Sequence, residues 1–218
     1  MNFRAILFDL DGTLIDQFTA IHRAFSRTLS KMGISEPSYN EVRRAVGGAS
    51  EATMTKLIGS SRAKEAVSIL RPIFEEEMLN ELTCLPYVER GLERITKRKI
   101  SCAILTNKYG PHARSACKHL GLSKYFQFIL GAGDTNWKKP EPQLTQLALR
   151  KIGLSSTETI YVGDSPYDYE TAKKSNLSCH LVATGTHSFD ELSKLEAQST
   201  HQCFKSLIDH LMQPNHPS

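Results

Sequence analysis

Hydrophobic and polar positions divide this chain into two kinds of segment. Residues 3–10 form a short apolar run that ends in Asp-Gly, a pattern typical of a buried strand that opens into a turn. Over residues 16–84 the apolar positions recur three or four residues apart, which predicts helices and no strand. From residue 86 onward, helical and extended patterns alternate. The pattern therefore predicts one part in which strands and helices alternate and a helical segment that interrupts this part.

In the alternating half, each predicted strand after the first is followed by a helix. The predicted strands are residues 3–10, 100–105, 126–130, 159–162 and 179–182. The predicted helices of this half are residues 88–98, 111–120, a segment that starts near 142, 166–175 and 204–212, and residues 213–218 form a tail that we expect to fray. Alternation of this kind specifies a mostly parallel sheet covered by helices on both faces. The expected fold class is α/β, a Rossmann-like doubly wound parallel sheet with an inserted all-helical cap domain.

The helical segment is too long to be a loop, since connections in compact domains rarely exceed about 12–15 residues. We expect a separate cap domain, residues 16–85, inserted into a core domain formed by residues 1–15 and 86–218. Ligands of open parallel sheets bind at the carboxyl ends of the strands. The residues that follow each strand are therefore the first place to look for a functional site.

The composition is that of an ordinary globular protein, and it argues against several classes of function. Of 218 residues, 40% are hydrophobic and 23% are charged, and a net charge of +4 is spread along the chain. No apolar run reaches 18 residues and no basic stripe contains interleaved aromatics, so we expect neither a membrane span nor nucleic-acid binding. The five cysteines form no CxxC pair and no basic and apolar leader precedes the first strand, which favours a cytoplasmic protein with reduced thiols over disulfides or a zinc site. For the oligomeric state, the sequence allows both a monomer and a homodimer.

Two aspartates and a glycine follow the first predicted strand. Asp9 and Asp11 are two residues apart in an extended segment, so both carboxylates can point into one site. Two close carboxylates favour either a bound cation or a division of roles between a base and an acid. Gly12 suits a sharp turn, and Asp-Gly after a strand is also ordinary turn chemistry in the absence of any site.

Polar residues after the second and third predicted strands can complete such a site. Thr106 and Asn107 end the second strand, where a hydroxyl and backbone N–H groups can bind phosphoryl oxygens, although the same residue types cap many helices. Lys138 and Lys139 precede a predicted helix, and a lysine there would offset the charge of a phosphate held beside carboxylates. Two adjacent lysines in a loop are also commonly solvated.

The fourth predicted strand is followed by a segment with two further aspartates. Asp164 at the strand end is a natural ligand for a hard cation. Asp168 lies about one turn into the next helix and can hydrogen-bond the lysine or a metal-bound water. Helix capping by Asp164 or Ser165 is the alternative. Each of the four segments has an ordinary structural explanation, but all four lie at strand ends of one sheet, so we expect them to converge on one crevice.

Four motifs in this order resemble the haloacid dehalogenase superfamily, and most closely its phosphoglycolate-phosphatase-like branch. They are DLDGT at residues 9–13, LTN at 105–107, KKPEP at 138–142 and VGDSPYD at 162–168. The resemblance covers essentially the whole chain, including a helical cap between the first and second motifs. A single motif is not specific, whereas the complete ordered set is.

The resemblance implies a role for each catalytic residue. Asp9 would attack phosphorus and form an aspartyl-phosphate, and Asp11 would protonate the leaving oxygen and then activate water. Thr106 would bind the transferred phosphoryl group. Lys139, rather than Lys138, would stabilise Asp9 and the phosphate. Such covalent catalysis splits one difficult displacement into two steps.

The resemblance also implies the cofactor Mg²⁺. Its ligands would be the carboxylate of Asp9, the backbone carbonyl of Asp11 and Asp164, with Asp168 in support. The residues expected to bind substrate are Gly12 and Asn107 of the core and Gly48 and Arg43 of the cap. The cap would close over the site near the glycine pair at residues 47–48 and exclude water from it.

The expected function is a magnesium-dependent phosphatase that hydrolyses a small phosphorylated metabolite, with 2-phosphoglycolate as one candidate. Asp11 distinguishes it from a dehalogenase, which would lack an acid at that position. A pyrophosphatase stays open, and so does a β-phosphoglucomutase-like enzyme. Such a mutase usually carries an arginine shortly after the cap glycine, where this chain has Glu51; Arg43 and Arg44 could substitute for it.

A phosphate-binding or phospho-signalling module is the alternative from another class. Receiver domains also combine a phosphorylatable aspartate with a threonine and a lysine, but they are shorter, lack a cap and carry an acidic pair before the phospho-accepting strand. Asp11, which would speed hydrolysis of a phosphoaspartate, favours the enzyme. No dinucleotide-binding or P-loop glycine motif follows the first strand.

Overall fold

A computed structural model describes residues 3–213 of the chain. Its strands are β1 (Ala5–Phe8), β2 (Ile15–Asp16), β3 (Thr83–Cys84), β4 (Ser101–Tyr109), β5 (Ile129–Ala132), β6 (Thr159–Gly163), β7 (Ser178–Val182) and β8 (Ser199–His201). Its helices are α1 (Phe18–Lys31), α2 (Tyr39–Ala45), α3 (Ser50–Ile58), α4 (Ser60–Glu77), α5 (Val88–Lys97), α6 (Gly110–His119), α7 (Pro142–Ile152), α8 (Pro166–Lys174), α9 (Phe189–Leu192) and α10 (Phe204–Leu211), with short 3-10 turns at Ser123–Tyr125 and Ser156–Glu158.

The core is a parallel sheet of six strands within the described residues, in the order β5-β4-β1-β6-β7-β8. The first strand of the chain lies in the middle, and all four of its residues are fully buried because helices cover both faces of the sheet. The predicted α/β fold class is therefore confirmed. The order also places the carboxyl ends of β4, β1 and β6 side by side, which is where the candidate residues lie.

The helices α1 to α4 form a cap with its own hydrophobic core. Phe18, Leu29, Met54 and Leu70 are among its buried side chains. The chain enters and leaves this cap through the antiparallel pair β2–β3, in which Ile15 pairs with Cys84. The sequence predicted no strand over residues 16–84, and this is wrong at both ends because strands of two residues carry no alternating pattern. The division into a core and a cap at 15/16 and 85/86 stays our proposal.

Two elements near the C-terminus were not predicted. The strand over residues 179–182 was taken as the last, but β8 follows it and forms the edge of the sheet. Its sequence, Ser-Thr-His, is polar and only half buried, so hydrophobic patterning does not reveal it. The four-residue helix α9 lies between the two strands. The expected frayed tail, residues 213–218, lies outside the described residues except for Gln213.

Over residues 3–213, no helix combines the length and the apolar character that crossing a membrane requires. The described cysteines, at positions 84, 102, 117, 179 and 203, are all free thiols.

Candidate active site

Asp9 follows β1 directly and faces the side chain of a buried lysine. Lys139 Nζ lies 2.8 Å from Asp9 Oδ1 and 2.7 Å from Asp168 Oδ1. Burial alone would lower the pKa of Lys139, but the charges of Asp168 and Asp9 outweigh it and hold that pKa well above its ordinary value. Burial raises the pKa of Asp9 to about 6, against the opposing effect of Lys139. Of the two adjacent lysines, Lys139 is thus the one inside the site, while Lys138 is exposed.

Asp168 is fully buried and organises the segment around it. Its Oδ2 accepts hydrogen bonds from the backbone N–H of Asp164 at 3.2 Å and from the backbone and hydroxyl of Ser165 at 3.1 and 2.6 Å. Its Oδ1 accepts from Lys139 Nζ and from the hydroxyl of Tyr161. Ser165 is also the residue that caps α8, so helix capping and support of the site occur together.

Asp164 ends β6 and is held by a loop that follows the next strand. The backbone N–H of Thr186 donates to Asp164 Oδ2 at 2.8 Å, and the Thr13 hydroxyl donates to Oδ1 at 3.3 Å. A Cβ atom at Gly185 would lie 1.9 Å from Asp164 Oδ2, so only glycine permits this approach. Burial, with the charges of Asp168 and Asp9, raises the pKa of Asp164 well above its usual range.

The carboxylates of Asp9, Asp164 and Asp168 can bring one oxygen each to within 4.8 Å of the others. Asp168 accepts five hydrogen bonds from the protein, more than Asp9 or Asp164, so Asp9 and Asp164 are the better candidates to hold a cation. Burial raises the pKa values of both carboxyl groups although the charge of Lys139 opposes the shift. Buried carboxylate oxygens are the donors that hard divalent cations prefer. The cluster therefore fits a metal ion.

Asp11 lies opposite a residue that the sequence analysis did not single out. Lys108 Nζ is 3.0 Å from each oxygen of the Asp11 carboxylate and also bonds Gln17 Oε1. The same ammonium lies 4.9 Å from the centroid of the Phe74 ring in the cap. The signal was present, because Lys108 is two residues beyond Thr106 and β4 runs to Tyr109, so both side chains point to one face.

Thr106 and Asn107 occupy different positions at the end of β4. The Thr106 hydroxyl accepts from the backbone N–H of Lys108 at 3.2 Å and lines the cavity described below. The Asn107 amide donates to the carbonyls of Gly47 and Lys139, both at 3.1 Å, and its oxygen accepts from the backbone N–H of Lys139 at 2.9 Å. Asn107 therefore joins the lysine loop to the cap.

A cavity of about 290 Å³ lies between the core and the cap. Its floor includes Asp9, Asp11, Thr106, Asn107 and Lys108, and its cap side includes Gly48. The apolar side chains of the cap wall are Ile21, Phe25, Val67, Leu70 and Phe74. Cationic side chains at its border are Arg71, Lys108 and Lys138. Residues at the carboxyl ends of β1, β4 and β5 therefore line one cavity together with the cap, while Asp164 and Asp168, which follow β6, do not line it.

Two residues expected to bind substrate do not line this cavity. Gly12 forms the turn after Asp11 with a φ of +83°, and a Cβ atom there would lie 2.8 Å from Asp164 Oδ2. Arg43 bonds the carbonyl of Gly185, and its guanidinium lies 5.5 Å from the centroid of the Phe18 ring. Its neighbour Arg44 donates to the Thr186 carbonyl and forms two bonds with Glu191. Both arginines fasten the cap to the core.

A parallel α/β core, a helical cap and a buried lysine–aspartate centre beneath an enclosed cavity define the class of capped α/β hydrolases. The sequence model of the family of haloacid dehalogenase-like hydrolases matches residues 6–182 of this chain. The chain belongs to this family. A solved structure of a haloacid dehalogenase-like family protein from Streptococcus pneumoniae shares the fold, with a TM-score of 0.88 and 23% identity over 97% of this chain and 99% of that one.

Curated relatives carry phosphatase names. Pyrophosphatase PpaX of Oceanobacillus iheyensis is 32% identical over 183 residues, which cover 84% of this chain and 85% of the relative. Phosphoglycolate phosphatase of Aquifex aeolicus is 30% identical over 182 residues, with coverage of 84% and 85%. The chain is an enzyme of the phosphatase group within the family.

Proposed function

We propose that this enzyme is a magnesium-dependent phosphatase that hydrolyses a small phosphate monoester through an aspartyl-phosphate on Asp9. One observation carries the proposal. The Asp9 carboxylate lies at the floor of the cavity between core and cap, 2.8 Å from the ammonium of Lys139 and beside the carboxylate of Asp164. A nucleophile in this position can meet a phosphate whose charge is balanced by cations on the core side.

The side chains of the floor suit two consecutive displacements. Asp9 attacks phosphorus, and the Thr106 hydroxyl and Lys139 ammonium bind the transferred oxygens. Asp11 gives its proton to the leaving oxygen and then takes a proton from the water that releases phosphate from Asp9. Lys108 holds Asp11 in place with two contacts of 3.0 Å.

The residues that would hold Mg²⁺ are the Asp9 carboxylate, the Asp11 backbone carbonyl and Asp164. When bound, the ion would neutralise charge between the phosphate and the carboxylates. Asp168 keeps Lys139 and the backbone of Asp164 in position.

The test is hydrolysis of p-nitrophenyl phosphate with Mg²⁺ and with a chelator, by the wild type and by Asp9→Asn. We expect turnover only with Mg²⁺ and a loss of at least about 1,000-fold in Asp9→Asn, since the nucleophile is removed. Asp190→Asn, at an exposed aspartate outside the site, is the matched control and should keep full activity. An inactive wild type, or an Asp9→Asn variant at full rate, would refute the mechanism. A phosphorylated form that persists for hours after treatment with a phosphodonor would instead support a signalling module.

Among substrates, we propose a monoester with a short organic group, and 2-phosphoglycolate stays our first candidate. The cap wall is apolar, which suits carbon atoms of a leaving group, while Arg71 and Lys108 suit its negative charge. Glu51 lines the cavity and would repel the second phosphate of a mutase intermediate. Pyrophosphate is the second candidate because of the likeness to the Oceanobacillus enzyme. Comparing kcat/KM for 2-phosphoglycolate and for pyrophosphate distinguishes the two, and a preference for pyrophosphate would overturn the first candidate.

We also propose a cytoplasmic location and a monomer or homodimer. The location is supported by the free thiols, three of which are buried. Sedimentation analysis of the purified chain measures its assembly.

A further inference from the structure

Three histidines converge at the edge of the sheet, away from the residues that line the catalytic cavity. His180 lies on β7, His201 at the end of β8 and His210 near the end of α10. One nitrogen of each ring can be chosen so that the three atoms lie within 4.8 Å of one another. The three histidines lie within 30 residues of one another along the chain, and each belongs to a different strand or helix.

A serine orients two of these rings. The Ser199 hydroxyl lies 2.7 Å from His180 Nδ1 and 2.7 Å from His201 Nε2. Among the described residues, the second nitrogen of each of these two rings has no hydrogen-bond partner. His210 packs against both, with ring centroids 5.1 Å from His201 and 6.1 Å from His180. A hydrogen bond to one ring nitrogen fixes the orientation of the imidazole, and such a bond is a common feature of histidines that bind metals through the other nitrogen.

The burial of the three rings is graded. His180 is buried, His201 is half-buried and His210 is exposed. Burial, together with the neighbouring imidazoles, lowers the pKa of His180 and of His201. The nearby Asp209 carboxylate is already paired with Arg94 and Lys205.

The geometry points to a second metal site in this protein, formed by His180, His201 and His210. Three imidazoles select a borderline divalent cation such as Zn²⁺ or Co²⁺, whereas Mg²⁺ prefers the oxygen ligands of the catalytic cluster. The exposed side at His210 leaves a fourth position for water. The ion would join β7, the short edge strand β8 and the helix α10, so it stabilises the C-terminal part of the core. This site does not depend on the proposed phosphatase mechanism.

A titration with Co²⁺ tests the site, because a cobalt ion bound by three imidazoles absorbs visible light. The full chain is used without a histidine tag and with millimolar Mg²⁺, in an Asp164→Asn background that weakens the carboxylate cluster. We expect one equivalent of Co²⁺ per chain with a ligand-field band. His210→Ala removes one ligand at an exposed position and should weaken binding by at least about tenfold. His119→Ala, at an exposed histidine of α6, is the matched control and should bind as the parent does.

A second measurement, the thermal midpoint with and without Zn²⁺, separates loss of metal binding from a defect in folding. Zn²⁺ should raise the thermal midpoint of the parent protein and of His119→Ala, because a ligand that binds only the folded state stabilises it. The rise should be lost in His210→Ala and in His201→Gln, while both variants unfold cooperatively without metal. No uptake of Co²⁺ in the Asp164→Asn background, or equal uptake by His210→Ala and the parent, would overturn the site.

Discussion

Single residues set the charge balance on which the chemistry depends. Asp9 is buried beside two other carboxylates, and Lys139 is the cation that contacts both Asp9 and Asp168. Lys108 forms a separate pair with Asp11. The proposed nucleophile and the proposed acid–base residue, though two positions apart, therefore contact different lysines.

The pKa of Asp9 predicts a pH-dependent response to Mg²⁺. In the metal-free protein this pKa is about 6, against 3.8 for an ordinary aspartate. Between those values the folded state keeps a proton that the unfolded chain has released, so stability of the metal-free protein falls as the pH rises from about 4 to about 6. If the proposed Mg²⁺ site is correct, the ion would bind the ionised carboxylates and offset that loss of stability. We expect the rise in thermal midpoint caused by Mg²⁺ to be larger at about pH 7.5 than at about pH 5.

Thermal scans with Mg²⁺ and with a chelator at both pH values measure this effect. Asp190→Asn should behave as the wild type, and Asp164→Asn should lose the Mg²⁺ response at both. An equal response at the two pH values would show that Asp9 does not contribute.

Lys108 predicts a positioning role that can be measured separately from binding. Lys108→Met removes the ammonium that holds both oxygens of Asp11, so we expect kcat to fall by about tenfold or more with a smaller change in KM. Lys108→Arg keeps the charge and should recover part of the rate. Lys138→Met is the control, since Lys138 borders the same cavity but is exposed. Equal losses in Lys108→Met and Lys138→Met would contradict the role.

At the scale of elements, the site depends on loops that follow five parallel strands, and the loop after β5 supplies Lys139. β1, β4 and β6 place Asp9, Thr106 and Asp164, and the loop after β7 supplies Gly185 and Thr186 as the support of Asp164. Parallel neighbours end at one edge of the sheet, so short side chains from distant parts of the sequence meet there. The loop after β7 had no motif that the sequence analysis recognised, although it follows a predicted strand.

Gly185→Ala should displace Asp164. The added Cβ atom would lie 1.9 Å from Asp164 Oδ2, which forces a shift of about 1 Å and a loss of activity on the order of 100-fold. The Mg²⁺-induced rise in thermal midpoint should shrink with it. Gly33→Ala is a useful contrast because Gly33 has a φ of +68° and open space around it. That variant should lose about 1–2 kcal/mol of stability and keep its response to Mg²⁺. Full activity of Gly185→Ala would refute the close approach.

At the scale of the whole molecule, the cap is closed over the core through polar contacts. Asn107 bonds the Gly47 carbonyl, and Arg44 pairs with Glu191 through bonds of 3.0 and 2.6 Å. These contacts surround a cavity whose walls belong to both parts. Exchange of substrate and product requires the cap to open, so the strength of these contacts affects turnover.

Arg44→Gln should loosen this closure without damage to the core. Exposed ion pairs contribute about 0.2–1 kcal/mol, which corresponds to a rise in KM of up to about fivefold and a small change in thermal midpoint. Arg62→Gln is a matched control, because Arg62 forms the same two-bond pair with Glu65 inside α4 and does not contact the core. Steady-state kinetics measures both variants. A similar rise in KM for Arg62→Gln would show that general surface charge, and not closure, is responsible.

The sequence by itself determined the class of fold and the family. Alternating strands and helices indicate a parallel sheet, and residues 16–84 are too long for a loop and have the apolar spacing of helices, although short strands at both ends escaped this pattern. The ordered motifs then placed Asp9, Thr106, Lys139 and Asp164 at strand ends of one sheet. These inferences hold because hydrophobic periodicity and strand direction are local properties of the chain.

Only the tertiary structure decided which side chains meet. It buried Lys139 between Asp9 and Asp168, revealed Lys108 beside Asp11, and turned Arg43 away from the cavity toward the carbonyl of Gly185. The histidines of β7, β8 and α10 come from three different elements and share no motif. Contacts of this kind arise from sheet order, edge pairing and helix packing, and no spacing along the chain encodes them, because residues become neighbours only when the strands are assembled.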